Sequence, residues 1–179
     1  LEVMSPMIEA RKIWAFLIQL PPSFKREEHF SNLKEFIEAW PEEWKEKGYH
    51  LVVEFRHESW MEEEVFNYLR DAEVTYCNVV EPLLPPCMDV TTPEFFYIRF
   101  HGYGKRIWFD YLFKEEEIKH WAGELKNVIE KVENVGIYFN NHFSGYAAKN
   151  ALMMMRELNI QPRKEPEKVS ILDLRKKSG

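Results

Sequence analysis

The chain has 179 residues, enough for one domain with a substantial core and too few to make two the expectation. Its content of 45% hydrophobic and 30% charged residues suits a soluble globular protein, and a formal charge of −6 argues against broad binding of a phosphate backbone. Cys77 and Cys87 have neither metal-ligand spacing nor a disulfide framework, and the apolar run 13–18 is too short to span a bilayer, so a reduced, cytoplasmic setting without membrane contact is expected.

In chain order, IWAFLIQL (13–20) predicts a buried strand stopped by Pro21 and Pro22, since proline cannot continue a central ladder. Phe30, Leu33, Phe36, Ile37 and Trp40 then recur at helical spacing up to Pro41. A second strand, 49–56, opens on apolar residues and turns ionic at Glu54, Arg56 and His57. Ser59 and Glu62 have capping-box spacing and predict the start of a helix carrying Val65, Phe66 and Leu69 on one face. A third strand (73–80) runs into Glu81-Pro82, and a proline-bearing loop (81–94) leads to a fourth, 95–100. A long helix over 114–132 carries the stripe Ile118, Trp121, Leu125, Val128, Ile129 and Val132. A fifth strand (135–139) ends in Asn140-Asn141, and a last helix runs from about Ser144 to Leu158. Residues 1–160 read as a single α/β domain and 161–179 as a C-terminal tail. The β-α-β-α-β-β-α-β-α order with apolar strands implies a mainly parallel sheet, either an α/β barrel or an open doubly wound sheet.

Each strand is apolar in its body and polar at its carboxyl end, the edge of a parallel sheet where ligands bind. Gln19 ends the first, Glu54 and Arg56 the second, Glu81 the third, Arg99 and His101 the fourth, and Asn140 and Asn141 the fifth. Glu54 and Arg56 share strand parity and so one face, and are read either as a structural ion pair or as part of a site. Arg56 and Arg99 could clamp a phosphate or carboxylate, Glu54 and His101 are the acid–base candidates, and Asn140 and Asn141 could polarise an oxyanion. His57 has the opposite parity and is expected behind the site. A metal set drawn from Glu54, Glu81, His101 and His142 lacks diagnostic spacing, and no metal or other cofactor is expected. Loop 101–111 interleaves Tyr103, Trp108, Phe109 and Tyr111 with Lys105 and Arg106, a composition suited to stacking on bases or to packing under a rim.

Four blocks, LIQLPPSFK (17–25), VVEFRHESW (52–60), YIRFHG (97–102) and YFNNHFSGYAAKNAL (138–152), resemble the YecE-like proteins, domain-of-unknown-function family 72. The resemblance implies a TIM-barrel architecture whose shared polar residues lie at the carboxyl ends of the strands. Carried over by motif these are Gln19, Glu54, Arg56, His57, Trp60, Arg99, His101, Asn140, Asn141, Gly145 and Asn150, with Trp60 among those expected to touch substrate. Glu81-Pro82 stands where the family usually has an aspartate. The family's glycine-rich first strand and two further βα units have no counterpart, so only strands four to eight of the barrel are expected, with either an upstream segment or a second copy of the chain covering the gap. The resemblance carries no settled reaction. The leading expectation is an enzyme, a hydrolase or lyase, acting on a small anionic or phosphate-bearing ligand. The alternatives are a nucleic-acid-binding or nuclease-like barrel using Lys25, Lys105 and Arg106, and a non-catalytic fragment with an incomplete site.

Overall fold

A computed structural model describes residues 2–162. After a 3-10 turn and a short α1 (Ser5–Glu9) come β1 (Ala15–Gln19), α2 (Arg26–Glu38), α3 (Glu42–Glu46) and β2 (His50–Glu54). Then follow α4 (Glu63–Asp71), β3 (Thr75–Val80), β4 (Phe95–Phe100), α5 (Glu115–Ile129), β5 (Asn134–Phe139) and α6 (Tyr146–Glu157). The five strands form one parallel sheet in the order β1-β2-β3-β4-β5. Strands laid down in sequence order keep turning the same way, which curls the sheet into a half-barrel; a doubly wound sheet would reverse its order partway. β1 and β5 each lack a second neighbouring strand among the described residues.

Parity sorts the side chains. Phe16, Tyr76 and Phe100 face the helices, against Trp44 of α3, Phe66 of α4 and Trp121 of α5 respectively. Among the described residues no helix packs on the opposite, concave face. The pairings Gln19↔Glu54, Val79↔Arg99 and Arg99↔Tyr138 put the charged strand ends there together. The curl is tight enough that Gln19 of β1 hydrogen-bonds Arg99 of β4 at 3.1 Å, skipping two strands. β3, at the middle of the sheet, is buried along its whole length, while β1 and β5 are only partly covered.

Several local expectations are corrected. The first strand begins at Ala15, two residues later than expected, and Trp14 packs on Phe95 at 4.8 Å and near His50. Phe36 and Ile129 keep helical spacing yet stay 44% and 42% exposed, because no element among the described residues packs over those sides of α2 and α5. Val132 lies beyond the end of α5. Ser59 does not cap α4. Residues 58–60 form a 3-10 turn, α4 starts at Glu63, and the Ser59 hydroxyl accepts from the backbone N–H of Arg26, the first residue of α2. That N–H has no partner within its own helix, and an oxygen distant in sequence meets the need as well as a local one. The last helix starts at Tyr146, since Ser144 (φ 51°) and Gly145 (φ 74°) both turn left-handed. Residues 163–179, most of the expected tail, lie outside the described residues.

Candidate functional site

β2 ends on Glu54 because its apolar body must be buried between neighbouring strands, and two residues on, Arg56 returns to the same face. Arg56 lies between two carboxylates: its Nη1 donates to Glu81 Oε2 at 2.6 Å, and Nη2 faces Glu54 Oε1 at 2.5 Å. The latter contact is an ion pair whose angle falls outside hydrogen-bond geometry, which leaves His101 as the donor available to Glu54 Oε1. Arg99 Nη1 donates to the other Glu54 oxygen and to Gln19 Oε1, which also accepts from Arg56 Nη2 at 3.2 Å. His101 Nε2 sits 3.4 Å from both Glu54 Oε1 and Arg56 Nη2. Protonated at Nε2 the ring donates to Glu54; protonated at Nδ1 it accepts from Arg56. One proton shift exchanges the two arrangements.

Glu54, Glu81 and His101 are buried, Arg56 and Arg99 nearly so, and Gln19 forms the exposed rim. Charges this enclosed persist only when paired, and here two guanidinium groups balance two carboxylates. The carboxylates are nevertheless unlike. Burial pushes Glu54 upward, but the hydrogen bond to His101 and the charges of Arg56 and Arg99 outweigh it, and its pKa lies below the usual value. Glu81 is held above that value by burial, with Arg56 opposing and the negative charge of Glu54 adding to the rise. Burial lowers His101, with the Glu54 hydrogen bond opposing, which leaves the imidazole neutral at neutral pH. Deeper in the concavity the Cys77 thiol points at Glu54 Oε2 (3.7 Å), and burial drives its pKa up, so it stays a thiol. A shallow cleft lined by Pro22, Arg56, His57, Glu58 and Leu83 opens beside the guanidinium. Two other hollows lie around Gly48 and Tyr49 at the amino ends of the strands, remote from these charges.

The sequence reading brought Gln19, Glu54, Arg56, Arg99 and His101 to one place, and the structure gathers them there. It placed Glu81 at the same edge but gave it no catalytic or binding role, although the pairing of Val79 with Arg99 sets Glu81 beside His101 on the concave face. Trp60 lies apart from this charged cluster. It is wholly buried in the helix layer, stacked on Phe55 at 4.8 Å, with its indole N–H donating to the Phe24 carbonyl. Asn141 is engaged elsewhere: its amide N–H groups donate to the Tyr111 carbonyl and to Asn150 Oδ1, while Asn150 holds both backbone groups of Phe113. These two buried asparagines tie the start of α5 to the end of β5 and the first turns of α6. Asn140 is half-buried at the end of β5, and His57 accepts from the Ser59 N–H and stands outside the charged cluster. Gly145 is exposed at the start of α6.

His142 stacks on Phe109 (4.6 Å), and no group of three or more His, Cys, Asp or Glu among the described residues is arranged to hold a metal. In loop 101–111 Gly102 (φ 98°) serves close packing: a Cβ there would come within 2.7 Å of the Trp108 carbonyl. Tyr103 packs edge-on to Tyr111 and Phe113, while Tyr103 and Phe109 each keep 38% of their surface exposed. Among the described residues no helix is long and apolar enough to cross a membrane.

The family model described as "Protein of unknown function DUF72" matches residues 1–171. The curated UPF0759 protein YunF of Bacillus subtilis is 23% identical, over 88% of this chain and 62% of its own length, so the chain spans less than two thirds of that relative. A DUF72 family protein of Enterococcus faecalis, solved by crystallography, superposes with a TM-score of 0.83 at 24% identity over 94% of this chain and 67% of that one. Another, from Thermotoga maritima, gives 0.79 at 34% identity over 88% and 62%.

Proposed function

The chain belongs to the DUF72 family, a name that carries no reaction, and we propose from its site that it is an enzyme that moves a proton on a small anionic substrate held at the carboxyl ends of the strands. The observation that carries this reading is the split pair of carboxylates on one guanidinium, Glu54 below and Glu81 above the ordinary range. Environments that drive two like groups apart separate an acid from a base at one pH. Glu54 stays ionised and orients Arg56, Arg99 and His101; Glu81 and the neutral His101 are the groups that take and give the proton. Arg99 uses Nη1 for both of its hydrogen bonds, so the remainder of its planar fork can receive a carboxylate or phosphate at the rim beside Gln19. A cluster whose positive charges are already balanced suits one small anion better than a polyanion, which favours this reading over nucleic-acid binding.

In the same proposal the five strands are strands four to eight of an eight-stranded barrel, a placement supported by their sequential parallel order and by the share of each relative that the chain covers. A cytoplasmic, reducing location is supported by the free thiols Cys77 and Cys87.

Proton transfer to carbon leaves an isotopic trace. Incubated in D2O with a panel of small carboxylates and phosphate esters, the protein is expected to introduce deuterium into at least one of them, and Glu81→Gln or His101→Asn to stop it. A panel that gains no deuterium above the protein-free control would contradict the proposal.

A further inference from the structure

Beyond Glu54 Oε1, whose contacts with Arg56 Nη2 and His101 Nε2 are given above, two further polar atoms of the cluster are left over. Glu81 Oε1 and Arg56 Nε are both enclosed and have no hydrogen-bond partner among the described residues. One is an acceptor and the other a donor. They belong to side chains joined to each other at 2.6 Å, beside the cleft that Arg56 lines. Glu81 is 2% exposed, so bulk solvent does not compensate its second oxygen.

Resting on the proposed function, we infer that the ligand carries a hydroxyl group a few bonds from its anionic group, and that this hydroxyl donates to Glu81 Oε1 while accepting from Arg56 Nε. The choice among functional groups follows from what each can offer. A hydroxyl donates one hydrogen bond and accepts others, so it answers both orphan atoms. A ketone only accepts and would leave Glu81 Oε1 facing another lone pair. An ammonium only donates and would bring a positive charge against Arg56. A methylene does neither and would bury both atoms for nothing. The anionic end of the same molecule meets the open part of the Arg99 fork, one strand along the sheet from Glu81. Adjacent strands lie about 4.8 Å apart, which limits the distance between the two ends of the ligand to a few bonds. The site therefore selects small hydroxylated anions, the hydroxy-carboxylates or their phosphate counterparts.

Four three-carbon probes that differ at one position test this on the intact chain: lactate (either enantiomer), propionate, pyruvate and alanine. Saturation-transfer NMR with competition gives their relative affinities at one pH. Lactate is expected to bind about tenfold or more tightly than each of the others, because a ligand that leaves a buried polar group unpaired forfeits its desolvation cost. In Glu81→Met, which removes the acceptor and keeps the volume, lactate and propionate should converge. If that variant does not fold, the wild-type ranking decides alone. Equal binding of lactate and propionate would overturn the hydroxyl inference and leave the anion site standing, as would a preference for pyruvate or alanine. Binding of none of the four would remove the anion site and this inference with it.

Discussion

Glu54→Gln is expected to lower the stability of the fold by about 3–5 kcal/mol at neutral pH, the penalty for breaking a buried charge network by removing one partner. Glu54 is wholly buried and, among the described residues, is the one carboxylate that touches both guanidinium groups. Glutamine keeps the shape and one acceptor but leaves Arg56 and Arg99 facing Glu81 alone. The pH dependence has a definite sign. Glu54 is held below the ordinary carboxylate value in the folded chain, so its contribution is complete above that value and is lost as pH falls through its folded pKa. The gap between variant and wild type should therefore narrow in acid. Glu81 works the other way: its folded pKa is raised, so the folded chain binds the extra proton and stability falls as pH rises through that window. Removing the Glu54 charge also removes a cause of that rise, so Glu81 should titrate lower in the variant. Urea unfolding followed by tryptophan fluorescence across the acid range measures all of this. A variant within about 0.5 kcal/mol of wild type at neutral pH, the spread of an ordinary surface substitution, would mean the cluster is open to water.

Trp60→Ala is expected to cost about 3–5 kcal/mol, the range for deleting a large buried aromatic side chain. Its indole lies nearly parallel to Phe55 and Phe24 (centroids 4.8 and 5.8 Å away) and its N–H satisfies the Phe24 carbonyl, so the substitution opens a cavity and removes the donor to a part-buried acceptor. Trp60→Phe should recover much of the packing and none of the hydrogen bond. If Trp60 touched substrate, alanine would leave the denaturation midpoint in place and weaken ligand binding, and that result would restore it to the site.

The contrast between Glu54 and Trp60 shows where sequence was informative. Strand-end position and parity are local properties, so the run from Val52 to Arg56 announces that Glu54 and Arg56 share a face, and apolar strands alternating with helices announce the sheet. The convergence of Gln19, Arg99 and His101 on them follows once the strands are taken as parallel. Motif membership says nothing about direction, however. Trp60, Asn141 and Asn150 fall in the same blocks as the charged residues, yet their partners are Phe24, Tyr111 and Phe113, between 30 and 37 residues away along the chain. Nothing local distinguishes a buried amide that ties two loops together from one that meets a ligand. Ser59 misleads for the same reason, since its capping-box spacing is local and the N–H it caps, that of Arg26, is 33 residues distant. Glu81 received no role because Glu81-Pro82 stands where the family usually has an aspartate; the pairing of β3 with β4 sets it on the concave face beside His101.

Selective 13C labelling of glutamate side-chain carboxyls, titrated by NMR, tests the central claim most directly, with Glu54→Gln and Glu81→Gln assigning the signals. Because the two groups share Arg56, the observed steps belong to the coupled pair. The expected result is one buried carboxyl titrating below the ordinary glutamate range and another above it, with the upper step absent in Glu81→Gln and shifted downward in Glu54→Gln. Two carboxyls that titrate together within the ordinary range would contradict the division of labour between Glu54 and Glu81, and with it the proposed proton-transfer site.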